Sequence, residues 1–166
     1  VSHFLDNYSI DFGESTVVKL HAFGIDGDIS LGALFTSVLD LFGKPTKHLL
    51  QQLATFETDE EERAIMLDPV FLKRAGKQNG MTIADALLRF KKAQPPLPAL
   101  LAMIPVLKPR AYSIASAPLA SKSIVELLVL IETWWCEEGM RYGLTCNMLR
   151  KLRSGDSIWC RMKAGS

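Results

Sequence analysis

From Ser30 onward the apolar positions Leu31, Leu34, Phe35, Val38, Leu39 and Phe42 recur three and four residues apart, the spacing that gathers them on one face of a helix. Ser30 stands where a hydroxyl accepts from the first free N–H groups, and Gly43 where a helix closes. Pro45 interrupts the chain, and Thr46 caps a second helix carrying Leu49, Leu50, Leu53 and Ala54. Thr58 followed by Glu61 has the spacing of a capping box, with the acidic run 59–62 where a helix dipole favours negative charge. Asp68-Pro69 predicts an N-cap and first turn, and Asn79-Gly80 a reversal. Thr82 with Asp85 predicts the start of a helix through Ile83, Leu87, Leu88 and Phe90. After Pro95, Pro96 and Pro98, residues Ala99 to Ile104 supply one or two more helical turns before Pro105.

Beyond Pro105 the pattern turns strand-like. Arg110 to Ser116 lies between Pro109 and Pro118, and Ile124 to Glu132 is a Val/Leu/Ile run that predicts a strand with both faces largely covered. Ser157 to Met162 follows the turn Ser154-Gly155-Asp156 and reads as a third strand. A short helix bearing Met148, Leu149 and Leu152 follows Gly143. Residues 1–30 hold short apolar groups such as Val17-Val18, cut by Gly13, Gly24 and Gly27, and read as strand or loop. The expected fold class is α+β: a helical lobe over 31–104 and an antiparallel β part over 105–166 with one short helix.

Composition narrows the function classes. A chain of 166 residues, 48% hydrophobic and 22% charged, builds a real core as one domain or two small lobes. A formal charge of +1 without a basic stripe argues against nucleic acid or an anionic membrane surface as partner. The stretches Leu97–Leu107 and Ile124–Ile131 are too short to span a bilayer and carry Pro98, Pro105 and Glu126. Cys136, Cys146 and Cys160 are odd in number and lack Cys-x-x-Cys spacing, which fits a reducing compartment and neither a disulfide framework nor zinc. The histidines His3, His21 and His48 are far apart, and the acidic run has no converging ligands elsewhere, so no metal site is expected. The glycines form neither Gly-x-Gly-x-x-Gly nor a P-loop. Val1 is not an initiator Met and no signal-peptide layout comes after it, so a piece of a longer protein is expected.

The stretch Pro109-Arg110-Ala111-Tyr112-Ser113-Ile114-Ala115-Ser116 carries the candidate chemistry. On a strand Arg110 and Tyr112 share a face, about 7 Å apart. A guanidinium and a phenol at that spacing suit a diphosphate and a stacked ring system. The same residue types also describe a barrel strand with a surface Arg and a half-buried Tyr.

Arg-x-Tyr-Ser-Ile-Ala-Ser resembles the flavin-binding motif of the ferredoxin-reductase superfamily, in the form found in NADPH-dependent diflavin reductases of the cytochrome reductase, nitric-oxide synthase reductase and sulfite reductase flavoprotein type. Leu41-Phe42-Gly43-Lys44-Pro45-Thr46-Lys47, followed by Leu53-Ala54-Thr55-Phe56 and an acidic helix, resembles the helical connecting subdomain of those enzymes. The resemblance spans Leu31 to Lys163. It implies a helical connecting subdomain plus part of an antiparallel Greek-key β-barrel.

By that resemblance Arg110 pairs with the FAD pyrophosphate, Tyr112 stacks on the isoalloxazine, and Ser113 lies near the flavin N5 edge as the candidate catalytic group. Ala111 stands where family members often carry a second aromatic. Leu127-Leu128-Val129 offers backbone groups to the flavin's polar edge; alone, these residues read as barrel core. Gly143-Leu144-Thr145-Cys146-Asn147 resembles a Gly-x-x-Ser/Thr-x-x-Leu segment whose backbone meets the pyrophosphate, with Cys146 in place of the hydroxyl residue; alone, it is an ordinary capped helix.

The implied function is the FAD-binding part of an oxidoreductase passing electrons from NADPH through FAD to FMN and an acceptor protein. FMN and NADPH would bind to an FMN domain and an NADP-binding domain of the same parent chain. The implied location is the cytoplasm or the cytosolic face of an intracellular membrane. The fragment alone is expected to be inactive with NADPH. The alternative is a non-enzymatic interaction module that keeps the fold without flavin.

Overall fold

In a computed structural model residues 17–19, 27–75, 80–117, 123–136 and 139–163 are described. The chain divides into two units, Val1–Pro109 and Arg110–Ser166. In the first, strands β1 (Val17–Lys19) and β2 (Asp28–Ser30) pair antiparallel, Val17 opposite Ser30. Helix α1 (Leu31–Ser37) comes at once after β2, its N-cap Ser30 accepting from the Ala33 N–H at 3.2 Å. The periodicity predicts a helix running to Gly43, but α1 ends at Ser37. There the backbone turns to another partner: Leu39 bridges Val106, the Asp40 N–H donates to Pro105 O at 2.8 Å, and the Leu107 N–H donates to Val38 O at 2.7 Å. Phe42, expected on the buried stripe, is therefore outside the helix and 62% exposed.

The residues after α1 nonetheless anchor a later helix, α5 (Ile83–Arg89). Gly43 O and Leu41 O accept from the Ile83 and Ala84 N–H groups, both at 2.9 Å, two of the donors that the start of α5 cannot satisfy within itself. Thr82 and Asp85 mark the expected helix start and complete it as a capping box, with Thr82 Oγ1 accepting from the Asp85 N–H at 3.2 Å and Asp85 Oδ2 accepting from the Thr82 N–H at 2.8 Å. Helix α2 (Lys47–Ala54) is capped by Thr46 as its sequence predicts.

Helix α3 (Glu60–Leu67) is capped one residue later than expected. Asp59, not Thr58, accepts from the Glu61 and Glu62 N–H groups through Oδ1, in keeping with the stronger N-cap preference of Asp over Thr, while its Oδ2 receives Lys92 Nζ at 2.8 Å. Helix α4 (Pro69–Arg74) has the predicted Asp68 cap. Asn79 lies outside the described residues, while Gly80 has the left-handed φ of +61° that suits a reversal. Helix α6 (Leu97–Met103) begins earlier than Ala99, since Pro98 falls in the first turn, where its missing N–H costs nothing.

One apolar cluster joins these helices: Leu31, Leu34 and Phe35 of α1, Leu49 and Leu53 of α2, Met66 of α3, Ile83 and Leu87 of α5, and Leu100 of α6. Phe90 completes it, meeting Phe71 edge-on at 5.8 Å. The Arg89 guanidinium lies 5.3 and 5.2 Å from the centres of those two rings.

The second unit holds a hairpin of β3 (Thr133–Cys136) and β4 (Gly139–Tyr142), with Thr133 opposite Tyr142, and helix α7 (Leu144–Leu149). The three predicted strands are not strands here. Residues 110–116 and 124–132 meet at a single bridge, Ile114 opposite Leu127, and 157–162 belongs to no ladder. A strand is held by its neighbours' hydrogen bonds, and these segments have too few described neighbours to form one. The covered faces expected of 124–132 are also absent: Leu128 is 88% and Leu130 87% exposed. Trp134 is half-buried and Trp135 exposed, as alternation on a strand requires. The architecture is α+β, with two-stranded antiparallel sheets among the described residues.

Candidate functional site

All the candidate residues belong to the second unit. The segment 124–132 is the strip on which the other two are assembled. At one end the Ala115 N–H donates to Glu126 O at 2.8 Å, and Ser116 Oγ accepts from the Glu126 N–H at 3.1 Å, which fixes the end of the Arg110–Ser116 stretch against it. At the other end the Gly143 N–H donates to Glu132 O at 3.0 Å and the Cys146 thiol donates to Leu130 O at 3.3 Å, which fixes the start of α7. The three stretches picked out by sequence are thus linked through one run of backbone. No hydrogen bond joins 110–113 directly to 143–147 among the described residues.

The side chains divide by what they already do. Arg110 and Ser113 are exposed and Tyr112 and Thr145 half-buried, and none of these four polar groups has a hydrogen-bond or ion-pair partner among the described residues. They are free for a ligand. Cys146 is buried and its thiol is engaged with Leu130. Asn147 is half-buried, its N–H donating to Gly143 O at 2.7 Å and its Oδ1 accepting from Arg150 Nε at 3.0 Å. Ala111, Leu128 and Leu144 are exposed and Val129 half-buried, while Leu127 pairs with Ile114.

Gly143 has φ −54°, an ordinary value, and a Cβ there would meet Glu132 Oε2 at 3.5 Å and Cys146 Sγ at 3.6 Å, normal contact distances. Neither the backbone nor the surrounding side chains therefore require a glycine at 143. Glu132 accordingly places a carboxylate beside the start of α7. That charge opposes an incoming anion, and its exposed side chain is free to swing away.

Sequence reasoning missed the carbonyls of Leu130 and Glu132 as anchors of α7, since a backbone acceptor leaves no mark in residue type. It also missed Arg150, whose guanidinium stacks 3.9 Å from the centre of the Tyr142 ring. Among the described residues no cluster of His, Cys, Asp or Glu suits a metal ion, and no helix is long and apolar enough to cross a membrane.

Arg110, Tyr112, Ser113 and Thr145 thus offer a cation, a phenol and two hydroxyls that have no partner among the described residues. Comparison with known proteins identifies the class of protein. The family described as FAD binding domain matches residues 1–148. The NADP-dependent mitochondrial pyruvate dehydrogenase of Euglena gracilis is 38% identical, over 78% of this chain and 7% of its own length. A probable NADPH sulfite reductase flavoprotein component of Schizosaccharomyces pombe is 33% identical, over 98% of this chain and 17% of its own length. A nitric oxide synthase-like protein of Bombyx mori is 34% identical, over 79% and 13%.

The chain belongs to the FAD binding domain family, within the diflavin reductase group, and FAD is its cofactor. It spans 7–17% of the length of these curated relatives.

Proposed function

We propose that the chain is the FAD-binding portion of an NADPH-dependent diflavin oxidoreductase, with residues 31–104 as the helical connecting subdomain and 105–166 as part of a Greek-key β-barrel. The observation that carries this is the shared backbone strip, 124–132, which holds Ile114–Ser116, directly after Arg110–Ser113, at one end and Gly143 and Cys146 at the other, with Arg110, Tyr112, Ser113 and Thr145 all unengaged. The barrel reading is supported by the exposed apolar residues Leu128 and Leu130, an apolar surface of the kind that further parts of a protein cover.

When bound, FAD supplies the chemistry of accepting a hydride and releasing electrons one at a time. The chain's own groups have simpler tasks. Arg110 pairs its guanidinium with the pyrophosphate, where a planar fork suits two phosphate oxygens. Tyr112 stacks on the ring system and excludes water from one face, and Ser113 offers a hydroxyl hydrogen bond at the N5 edge. Residues 127–129 offer backbone groups to the polar edge, and 143–145 bring close backbone and the Thr145 hydroxyl to the phosphates. FMN, NADPH and the acceptor protein would be served by other domains of the parent chain, in the cytoplasm or on the cytosolic face of an intracellular membrane.

The test is to titrate the purified chain with FAD, following flavin fluorescence, and then to add NADPH. Saturable FAD binding without bleaching by NADPH is the expected result. Absence of any FAD binding at high protein concentration would favour the interaction-module reading instead, and bleaching faster than that of free FAD would place a nicotinamide site in this chain.

A further inference from the structure

We propose that Cys146 is a positioning residue for the flavin site, holding the first turn of α7 on residues 130–132 rather than touching the cofactor; this rests on the FAD reading above. Its thiol donates to Leu130 O at 3.3 Å, and three residues earlier the Gly143 N–H donates to Glu132 O at 3.0 Å. The turn is therefore tied at both ends to alternate carbonyls of the same strip. The Asn147 N–H closes the turn on Gly143 O at 2.7 Å.

Burial agrees with this role. Cys146 is buried in a unit whose apolar side chains are otherwise largely open, Leu128, Leu130 and Trp159 among them. Its sulfur also lies 3.6 Å from where a Gly143 Cβ would stand, so it fills the space behind the turn as well as bonding across it. Turned inward, the thiol leaves Thr145, whose hydroxyl has no partner among the described residues, as the side chain of this turn available to phosphate. The other described thiols have no such position: Cys136 donates within its own hairpin to Gly139 O, and Cys160 is exposed.

A serine in this place keeps a donor, but its shorter bond to Cβ draws the oxygen back from Leu130 O. An alanine keeps neither donor nor bulk. Full chains carrying Cys146→Ser and Cys146→Ala are compared with wild type by Kd for FAD, and by hydrogen exchange at the Gly143 amide measured by NMR without flavin. The expected result is a loss of roughly threefold to tenfold in FAD affinity for Cys146→Ala, the size of one hydrogen bond, with faster Gly143 exchange and most of both restored in Cys146→Ser.

Wild-type affinity in Cys146→Ala, or equal losses in both variants, would overturn the proposal. Should wild type bind no FAD, the flavin reading of the isolated chain falls, and exchange decides the tie by itself. Unchanged Gly143 exchange in Cys146→Ala then refutes it, and faster exchange rescued by serine upholds it.

Discussion

Arg110→Ala separates a ligand contact from a folding effect because of how Arg110 sits. The side chain is exposed and has no ion-pair or hydrogen-bond partner among the described residues, so truncation strands no buried group. The cost to folding is within about 0.5 kcal/mol, the usual range for such surface positions. A charge-assisted contact to a diphosphate contributes about 1.5–3 kcal/mol, so FAD affinity should fall by about tenfold to 150-fold. Arg110→Lys keeps the charge without the fork and should fall between.

The assay is FAD titration at two ionic strengths with circular dichroism alongside, and riboflavin as the control without phosphate. An exposed cation meeting an anion predicts weaker FAD binding at higher salt in wild type and a shallower dependence in Arg110→Ala. Riboflavin affinity should be the same in both. Unchanged FAD affinity, or an equal loss for riboflavin, would refute the pairing of Arg110 with phosphate.

Glu132→Gln should raise FAD affinity by a few fold, since it removes a carboxylate that stands beside Gly143 and repels an anion by roughly 1 kcal/mol in water at about 4 Å; a fall in affinity in the same titration would contradict that placement. Thr82→Val should destabilise the chain by roughly 2–3 kcal/mol in urea denaturation, through loss of the cap and of the bond to the Asp85 carboxylate at 2.7 Å, while Thr82→Ser should cost about 1 kcal/mol for one buried methyl. Equal losses in the two would show that the hydroxyl is not what matters. The Lys92 hydrogen bond, followed by the Glu62 N–H, holds the Asp59 carboxyl below its usual 3.8, and Asp59 in turn holds Lys92 above 10.5. The Asp59 contribution is therefore present above pH 3.8 and lost as pH falls through the lower folded value, whereas the Lys92 contribution is present below pH 10.5 and lost as pH rises through the higher one. Lys92→Met should flatten both limbs of a plot of thermal midpoint against pH, and superimposable profile shapes would exclude the pair as a contributor.

The helices were legible where side chains themselves form the structure. Ser30, Thr46, Asp68 and the Thr82–Asp85 pair act as caps at the positions their types predict, because a cap needs only residues close in sequence. The early end of α1 came from long-range partners that no local window contains: Pro105 and Leu107 draw the backbone of 38–40 out of the α1 pattern. The cap of α3 is local, and differs from the reading because Asp59, next to Thr58, is the better acceptor for the Glu61 and Glu62 N–H groups.

The β part was legible in composition and not in conformation, for a related reason. A helix satisfies its own backbone, whereas residues 110–116 and 124–132 have the right side chains for strands but only one bridge between them. Candidate ligand groups depend on chemistry rather than on a ladder. Arg110, Tyr112, Ser113 and Thr145 were singled out through resemblance to family motifs, and they have no partner among the described residues of the fold. Cys146 shows the limit of such reading: the motif places it where a hydroxyl residue is usual, while the direction of its thiol, toward a carbonyl sixteen residues back, depends on packing that residue types do not encode.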